Sequence, residues 1–246
     1  MRIMKTSSYL LTAVVLFGLS TLCQAVPVSN SNGARDYLVN DSSLNRWSVG
    51  IYGGERERNI RTDPHNIPYS IETRTFMAYL GFNLTRWLMV YGTIGETETE
   101  LKNTPFTDDA GYELAYGAGV HVHLLDHEIP DPTLLENKLR LVAGLQYVFN
   151  QTDQPIADWE WEEYMAYLTV SLVNDIAGNK LFLPNSVAIY AGPAYSDIRS
   201  DDIDQTSDEF GYTAGLEIFY TESVSFDIGI QDFGTTGLTG GLHVRF

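Results

Sequence analysis

Charged and imidazole side chains near the end of the chain are spaced so that they would share one face of a sheet. Alternate residues of a strand point to the same side, so His243 and Arg245 share a face of the last segment. The same alternation and a three-residue turn set Glu217 opposite Asp227 on the two preceding segments. Two adjacent carboxylates either share a proton or attract a cation. We therefore expect an acidic pair beside basic groups.

A further basic residue, Arg46, occupies the matching face of the first segment, which pairs with the last segment if the sheet closes. The predicted interior cluster is Arg46, Glu217, Asp227, His243 and Arg245. Such a cluster is either an acid/base site or gate, or an ion-pair network that fills the interior. The network is favoured because buried charges must be paired.

Two histidines, His121 and His123, have the spacing of same-face metal ligands. Asp126 and His127 follow, but no third ligand is evident, and a packed pair is expected rather than a metal site. No Ser-His-Asp order, glycine-rich phosphate loop or paired-carboxylate motif stands out. We expect no cofactor, no metal and no enzymatic activity.

The elements that position these residues are segments of alternating polarity. An apolar face with a period of two residues is typical of strands. Ten such segments are Arg46–Glu55, Glu72–Leu84, Leu88–Glu98, Tyr112–Leu124, Lys138–Asn150, Trp161–Val173, Val187–Ile198, Phe210–Tyr220, Val224–Gln231 and Leu238–Phe246. Pro193 is a weak point of its segment because proline cannot donate a ladder hydrogen bond.

The faces opposite the apolar ones carry mostly Gly, Ser, Thr and Tyr rather than the Lys and Glu of a soluble sandwich. This pattern favours an all-β, antiparallel up-and-down transmembrane barrel with its apolar face outside. An even count of ten strands puts both ends on one side. The long turns Leu125–Asn137 and Asn174–Asn185 leave eight strands as the alternative, and Arg56–Ile71 is expected to be an outer loop.

The last strand carries a motif, Thr239-x-Gly241-x-x-Val244-x-Phe246. It resembles the C-terminal β-signal of outer-membrane barrels, and residues 45–246 resemble small outer-membrane β-barrel proteins of the OmpA-like and OmpX-like kind. The resemblance implies insertion by the barrel assembly machinery and contact with outer-membrane lipids and lipopolysaccharide. It implies a structural or surface-interaction role, with a narrow porin-like channel, or a rim-active lipid A-modifying enzyme or protease, as alternatives.

The first 25 residues have the pattern of a secretory signal. Arg2 and Lys5 precede the apolar stretch Leu10–Leu19, and Ala25 gives a cleavage site. We expect Sec export, removal of residues 1–25, and localisation in the bacterial outer membrane.

The single cysteine, Cys23, offers a lipoprotein alternative, which is disfavoured because Leu22 before it is not small. Cleavage would leave the mature chain without a thiol or disulfide. Residues 26–44 are polar and are expected to form a flexible periplasmic leader. The formal net charge of −17 argues against nucleic acid as a partner.

Overall fold

The computed structural model describes nine stretches of the chain. They are residues 46–62, 67–102, 111–129, 137–153, 158–175, 186–200, 203–206, 208–221 and 223–246. The expected signal peptide and leader lie outside the described residues. Within these stretches the structure is all-β, and no helix is long and apolar enough to cross a membrane.

The described residues form eleven strands. They are β1 (Trp47–Thr62), β2 (Ile67–Asn83), β3 (Leu88–Lys102), β4 (Glu113–Ile129), β5 (Asn137–Asp153), β6 (Asp158–Asp175), β7 (Ser186–Arg199), β8 (Ile203–Thr206), β9 (Phe210–Phe219), β10 (Val224–Asp232) and β11 (Thr236–Arg245).

Ten of these strands close into an antiparallel barrel. Neighbours in the chain pair with each other, β7 pairs directly with β9, and β11 returns to pair with β1. The closing register runs from Ser48↔Arg245 to Glu55↔Leu238. Closure satisfies both edges of the sheet. The expectation of a closed ten-stranded barrel is confirmed, and the eight-stranded alternative is wrong.

The two ends of the barrel differ. The end with the connections Leu84–Trp87 and Thr221–Ser223, called the turn side, also holds Arg46 and Phe246. The opposite end is called the loop side. There the short β8 pairs with the last residues of β1, at Ile60 to Thr62.

The strands β1 to β7 have 14 to 18 residues, more than the sequence predicts. The expected loop Arg56–Ile71 is mostly the continuation of β1 and β2, and the expected turn Leu125–Asn137 begins as strand up to Ile129. The first boundary was wrong because the extension of β1 carries charged side chains on both faces, with Arg56 and Arg58 inside and Glu57 outside. The second was wrong because a bulge after His123 shifts the alternation of β4. Both extensions are held by backbone pairing, which no apolar period reveals.

The wall separates two faces of opposite character. On β2, Leu80 is 53% exposed while its neighbour Tyr79 is 5% exposed. The other strands repeat the alternation, with large apolar side chains outside. Examples are Ile51, Ile94, Leu145, Val170, Ile189, Ile228 and Leu238. The core of this fold is therefore the barrel interior, and the outer surface is an apolar band.

Candidate functional site

The turn side of the interior holds the predicted acidic pair. The register sets Asp227 opposite Glu217, the pairing that the alternation predicts. His243 Nε2 contacts Asp227 Oδ1, and its Nδ1 lies 2.9 Å from the Tyr79 hydroxyl. Arg245 donates to Glu217 Oε1 at 3.4 Å. The structure thus brings four of the five predicted residues together as two pairs.

Each carboxylate in this cluster has a basic partner of its own. The four side chains are between 1% and 7% exposed. Arg245 also donates to Ser225 Oγ at 3.1 Å and lies 5.7 Å from the centre of the Phe219 ring. A buried charge costs several kcal/mol unless it is paired and hydrogen-bonded. The geometry is that of an ion-pair network.

The fifth predicted residue, Arg46, lies apart from this network. It precedes β1 and is exposed, and its described contact is the hydrogen bond from the Asn83 N–H to its carbonyl. Among the described residues its side chain makes no ion pair. Its position follows the alternation of β1, but it lies beyond the end of the wall, where water competes for the guanidinium.

A third buried ion pair forms through a bulge in β4. The register shifts between His123 and Leu125, so Asp126 points inward and meets Arg140 Nε at 3.3 Å. A bulge re-aims side chains in this way. Both side chains are almost fully buried.

The two candidate ligand histidines, His121 and His123, point inward and are buried. The ring of His121 packs edge-on against Tyr91 and Tyr167, with centroids 5.1 and 5.7 Å away. No group of three or more metal-ligating side chains occurs among the described residues. His121 is therefore packed among aromatic rings.

Tyrosines form the middle layer of the interior, and most lie against a glycine of the neighbouring strand. The layer comprises Tyr52, Tyr79, Tyr91, Tyr167 and Tyr190. The register places these rings against glycines, in the pairs Tyr79↔Gly50, Tyr91↔Gly119, Tyr167↔Gly144 and Tyr190↔Gly215. A β-carbon at Gly144 would lie 2.0 Å from Tyr167 Cζ. The glycines therefore leave room for the tyrosine rings.

The loop side holds a fourth buried ion pair, which the sequence did not predict. Arg56 Nη2 and Glu163 Oε2 are 2.5 Å apart, and Ser196 Oγ donates to the other carboxylate oxygen at 2.5 Å. Arg56 was expected in an outer loop. Continuing the alternation of Tyr52 through β1 would have assigned it to the interior.

Arg58 is the next inward residue of β1. Its Nη2 donates to the carbonyls of Ser196 and Asp208, at 3.2 and 3.0 Å. The guanidinium lies 4.5 Å from the centre of the Phe233 ring, which the β10–β11 turn places inside the barrel. Gly234 in this turn has a φ of 88°, a conformation that glycine adopts without strain.

An apolar plug occupies the interior beside these arginines. It consists of Ile60, Ile71, Trp161 and Ile198, each at most 3% exposed. A small cavity of about 30 Å³ lies below it, lined by residues that include Tyr52, Gln146 and Glu163. This volume accommodates about one water molecule.

The residues of the predicted assembly motif divide between the two faces of β11. Thr239 is buried and points inward with Gly241, whereas Val244 points outward. Phe246 is 63% exposed. Its backbone N–H and C=O pair with Trp47 at 2.9 and 3.0 Å, which joins the last residue to the first strand.

Comparisons with known proteins find similarity to a solved structure. No family model matches the chain, and no curated protein matches it. Among solved structures, the chain is similar to the transport unit of the autotransporter AIDA-I from Escherichia coli. The identity is 13%, the TM-score is 0.41, and the match covers 88% of this chain and 94% of that one.

Proposed function

We propose that the protein is an integral outer-membrane β-barrel with a structural or surface-interaction role and a closed interior. The observation that carries the proposal is the outer apolar band of a closed sheet. A soluble barrel would expose this band to water, whereas in lipid a closed barrel satisfies every ladder hydrogen bond.

The height of the band agrees with a bilayer. On β5 the outward apolar residues extend from Leu139 to Phe149. Ten steps of about 3.3 Å give about 33 Å along the strand, and a tilt of about 40° reduces this to about 25 Å. That is the height of the apolar band in outer-membrane barrels.

Aromatic side chains border the band at both ends. The turn side carries exposed Trp47, Trp87, Tyr220 and Phe246, and the loop side carries exposed Phe76, Tyr112, Tyr116, Tyr164, Phe210 and Tyr212. Such rings favour the interface between lipid and water. Above Phe76, Arg74 pairs with Glu72 at 2.7 Å and Glu98 at 3.4 Å. Outward charges therefore begin where the aromatic border ends.

The closed interior is supported by its contents. Ion pairs, tyrosines and the apolar plug follow one another along the axis, and the cavity described above is about 30 Å³. A barrel filled in this way presents its environment with a wall and loops rather than a pore.

The proposal includes the partners and the route of export that the sequence suggests. The apolar band would contact outer-membrane lipids and lipopolysaccharide. After Sec export, the barrel assembly machinery would recognise the exposed Phe246 at the end of β11. We propose no enzymatic role.

The decisive test is the behaviour of the protein on a detergent gel. The folded barrel should migrate faster than the boiled protein and should require detergent or lipid for solubility. A protein that is soluble without detergent and shows no shift on boiling would disprove the membrane barrel.

Planar-bilayer recording then tests the closed interior. We expect no reproducible conductance steps from the wild-type protein. Reproducible steps would instead favour a narrow channel for small solutes. The intact mass of lipid A, with and without expression, separates both roles from a rim-active lipid A-modifying enzyme.

A further inference from the structure

Three buried side chains that line the 30 Å³ cavity each carry an N–H group with no hydrogen-bond partner among the described residues. The groups are Arg56 Nε, Asn150 Nδ2 and Trp161 Nε1. The residues are 8%, 2% and 3% exposed, respectively. Nearly all buried polar groups in native proteins have a hydrogen-bond partner. We therefore expect the cavity to hold a small guest that accepts from these donors.

The closed barrel brings the three donors together from opposite walls. Asn150 of β5 and Trp161 of β6 are directly paired in the register. Arg56 belongs to β1, which lies five strands away from β6 in either direction around the wall. Its Nη2 reaches across the interior to Glu163 of β6. The arrangement therefore exists only in the folded barrel.

The oxygen atoms beside these donors already accept hydrogen bonds. Asn150 Oδ1 accepts from Thr97 Oγ1 at 3.1 Å. The two carboxylate oxygens of Glu163 accept from Arg56 and Ser196. Among the described side chains that line the cavity, the fully buried atoms left without a partner are the three nitrogens alone. The cavity therefore calls for an acceptor of three hydrogen bonds.

A single water molecule does not meet this requirement. The cavity has room for about one water molecule. Water has two lone pairs, so it accepts two hydrogen bonds, and its own two protons would need acceptors. A monatomic anion of similar size accepts from all three donors and donates to none. Phosphate and sulfate are too large for the volume.

The charges inside the loop side also favour an anion. The deeply buried ones are Arg56, Arg58 and Glu163, which leave one positive charge in excess. Arg58 donates to two backbone carbonyls rather than to a carboxylate. The carboxylates near it, Asp208 and Glu209, are only half-buried. A buried charge is costly unless it is paired.

We propose that the barrel interior binds one halide ion, normally chloride, between Arg56 Nε, Asn150 Nδ2 and Trp161 Nε1. The ion joins β1 to β5 and β6 across the interior and offsets the excess positive charge. Because it binds the folded barrel and not the unfolded chain, it stabilises the fold by mass action. The proposal requires the closed barrel and is independent of the membrane location.

The first test locates the ion with bromide, which has strong anomalous scattering. Crystals of the wild-type barrel are grown in sodium bromide. We expect an anomalous peak in the cavity, within hydrogen-bonding distance of the three nitrogens. A map of well-ordered crystals with no peak in the cavity would overturn the proposal.

The second test measures the effect of chloride on stability. The barrel is unfolded in urea in sodium chloride and in sodium gluconate at equal ionic strength, since gluconate is too large for the cavity. We expect the urea midpoint of the wild type to rise with chloride. Trp161→Phe keeps a ring in the plug but removes the N–H group. It should weaken chloride binding about tenfold or more, because one hydrogen bond to a charged group is lost.

The matched control is Trp87→Phe on the outer surface, where Trp87 is exposed. This variant should keep the chloride dependence of the wild type. If Trp161→Phe shows no gel shift on boiling and is therefore unfolded, Asn150→Asp replaces it. That variant keeps an oxygen to accept from Thr97 but sets a negative charge against the ion, so it should lose the chloride dependence.

Two outcomes of the stability measurement would also refute the site. Equal wild-type midpoints in chloride and gluconate would show that no ion stabilises the barrel. A chloride dependence that is the same in the wild type and in the folded cavity variant would instead show a general effect of salt on the surface.

Discussion

The pairing of tyrosines with glycines makes a quantitative prediction at Gly144. Its added β-carbon in Gly144→Ala would lie 2.0 Å from Tyr167 Cζ and 2.1 Å from the hydroxyl oxygen. Ordinary contacts between carbon atoms are about 3.5–4.0 Å. The ring would therefore have to withdraw by about 1.5 Å. Its path is blocked, because Tyr167 packs on His121, Ala194 and Phe233.

The expected cost follows from this obstruction. Overpacking a filled interior costs about 1–3 kcal/mol, and replacing glycine with alanine in a compatible strand returns about 0.4–1 kcal/mol through the unfolded chain. We expect Gly144→Ala to lower the free energy of unfolding by about 1–2 kcal/mol. The measurement is reversible urea unfolding in lipid vesicles, followed by gel mobility.

The matched control is Gly92→Ala on the outer face of β3. Its added β-carbon would have its nearest neighbour at 3.9 Å, so it meets no obstruction. We expect this variant to be unchanged or slightly more stable than the wild type.

A double substitution isolates the contact between the two residues. In a Tyr167→Leu background, Gly144→Ala should cost little, because the obstructing ring is gone. Equal unfolding midpoints for the wild type, Gly144→Ala and Gly92→Ala would refute the close stacking of tyrosine on glycine.

The remaining predictions concern the ends of the barrel. Arg56→Leu should lower the free energy of unfolding by about 3–5 kcal/mol, because Glu163 is left as a buried, unpaired charge. Urea unfolding of the double variant Arg56→Leu and Glu163→Leu should show that most of this stability is recovered. Trp161→Ala should lower the free energy of unfolding by about 3–5 kcal/mol and leave a planar bilayer silent, because the tyrosine layer and the turn-side ion pairs still fill the interior. Reproducible conductance steps from this variant would show that the plug alone seals the barrel. Deletion of Phe246 should reduce assembly in membranes, while Arg245→Leu should leave insertion largely intact and lower the unfolding midpoint; equal loss of insertion would contradict this division.

The alternation of side chains contains enough information to predict the barrel and one of its ion-pair networks. A period of two identifies the inward face of each strand. The parity of β9, β10 and β11 then brings Glu217, Asp227, His243 and Arg245 to one face of the wall. This inference succeeds because the pleat is a local property of the backbone and the connecting turn is short.

The length of the strands and the contacts inside the loop side of the barrel depend on the tertiary structure. Arg56 and Glu163 are 107 positions apart in the chain, and they meet only because the barrel closes and its wall extends beyond the apolar band. The same closure brings the Phe233 ring against the guanidinium of Arg58. The polar pattern of these segments is equally typical of loops.

The chain therefore determines by itself which residues face inward and that the sheet is antiparallel, since both follow from alternation and short connections. The tertiary structure decides which inward residues meet. Contacts across the interior depend on the closing register between β1 and β11 and on the stagger of the strands. Those quantities are set by how the whole ring of tyrosines, glycines and ion pairs packs together, which no single segment specifies.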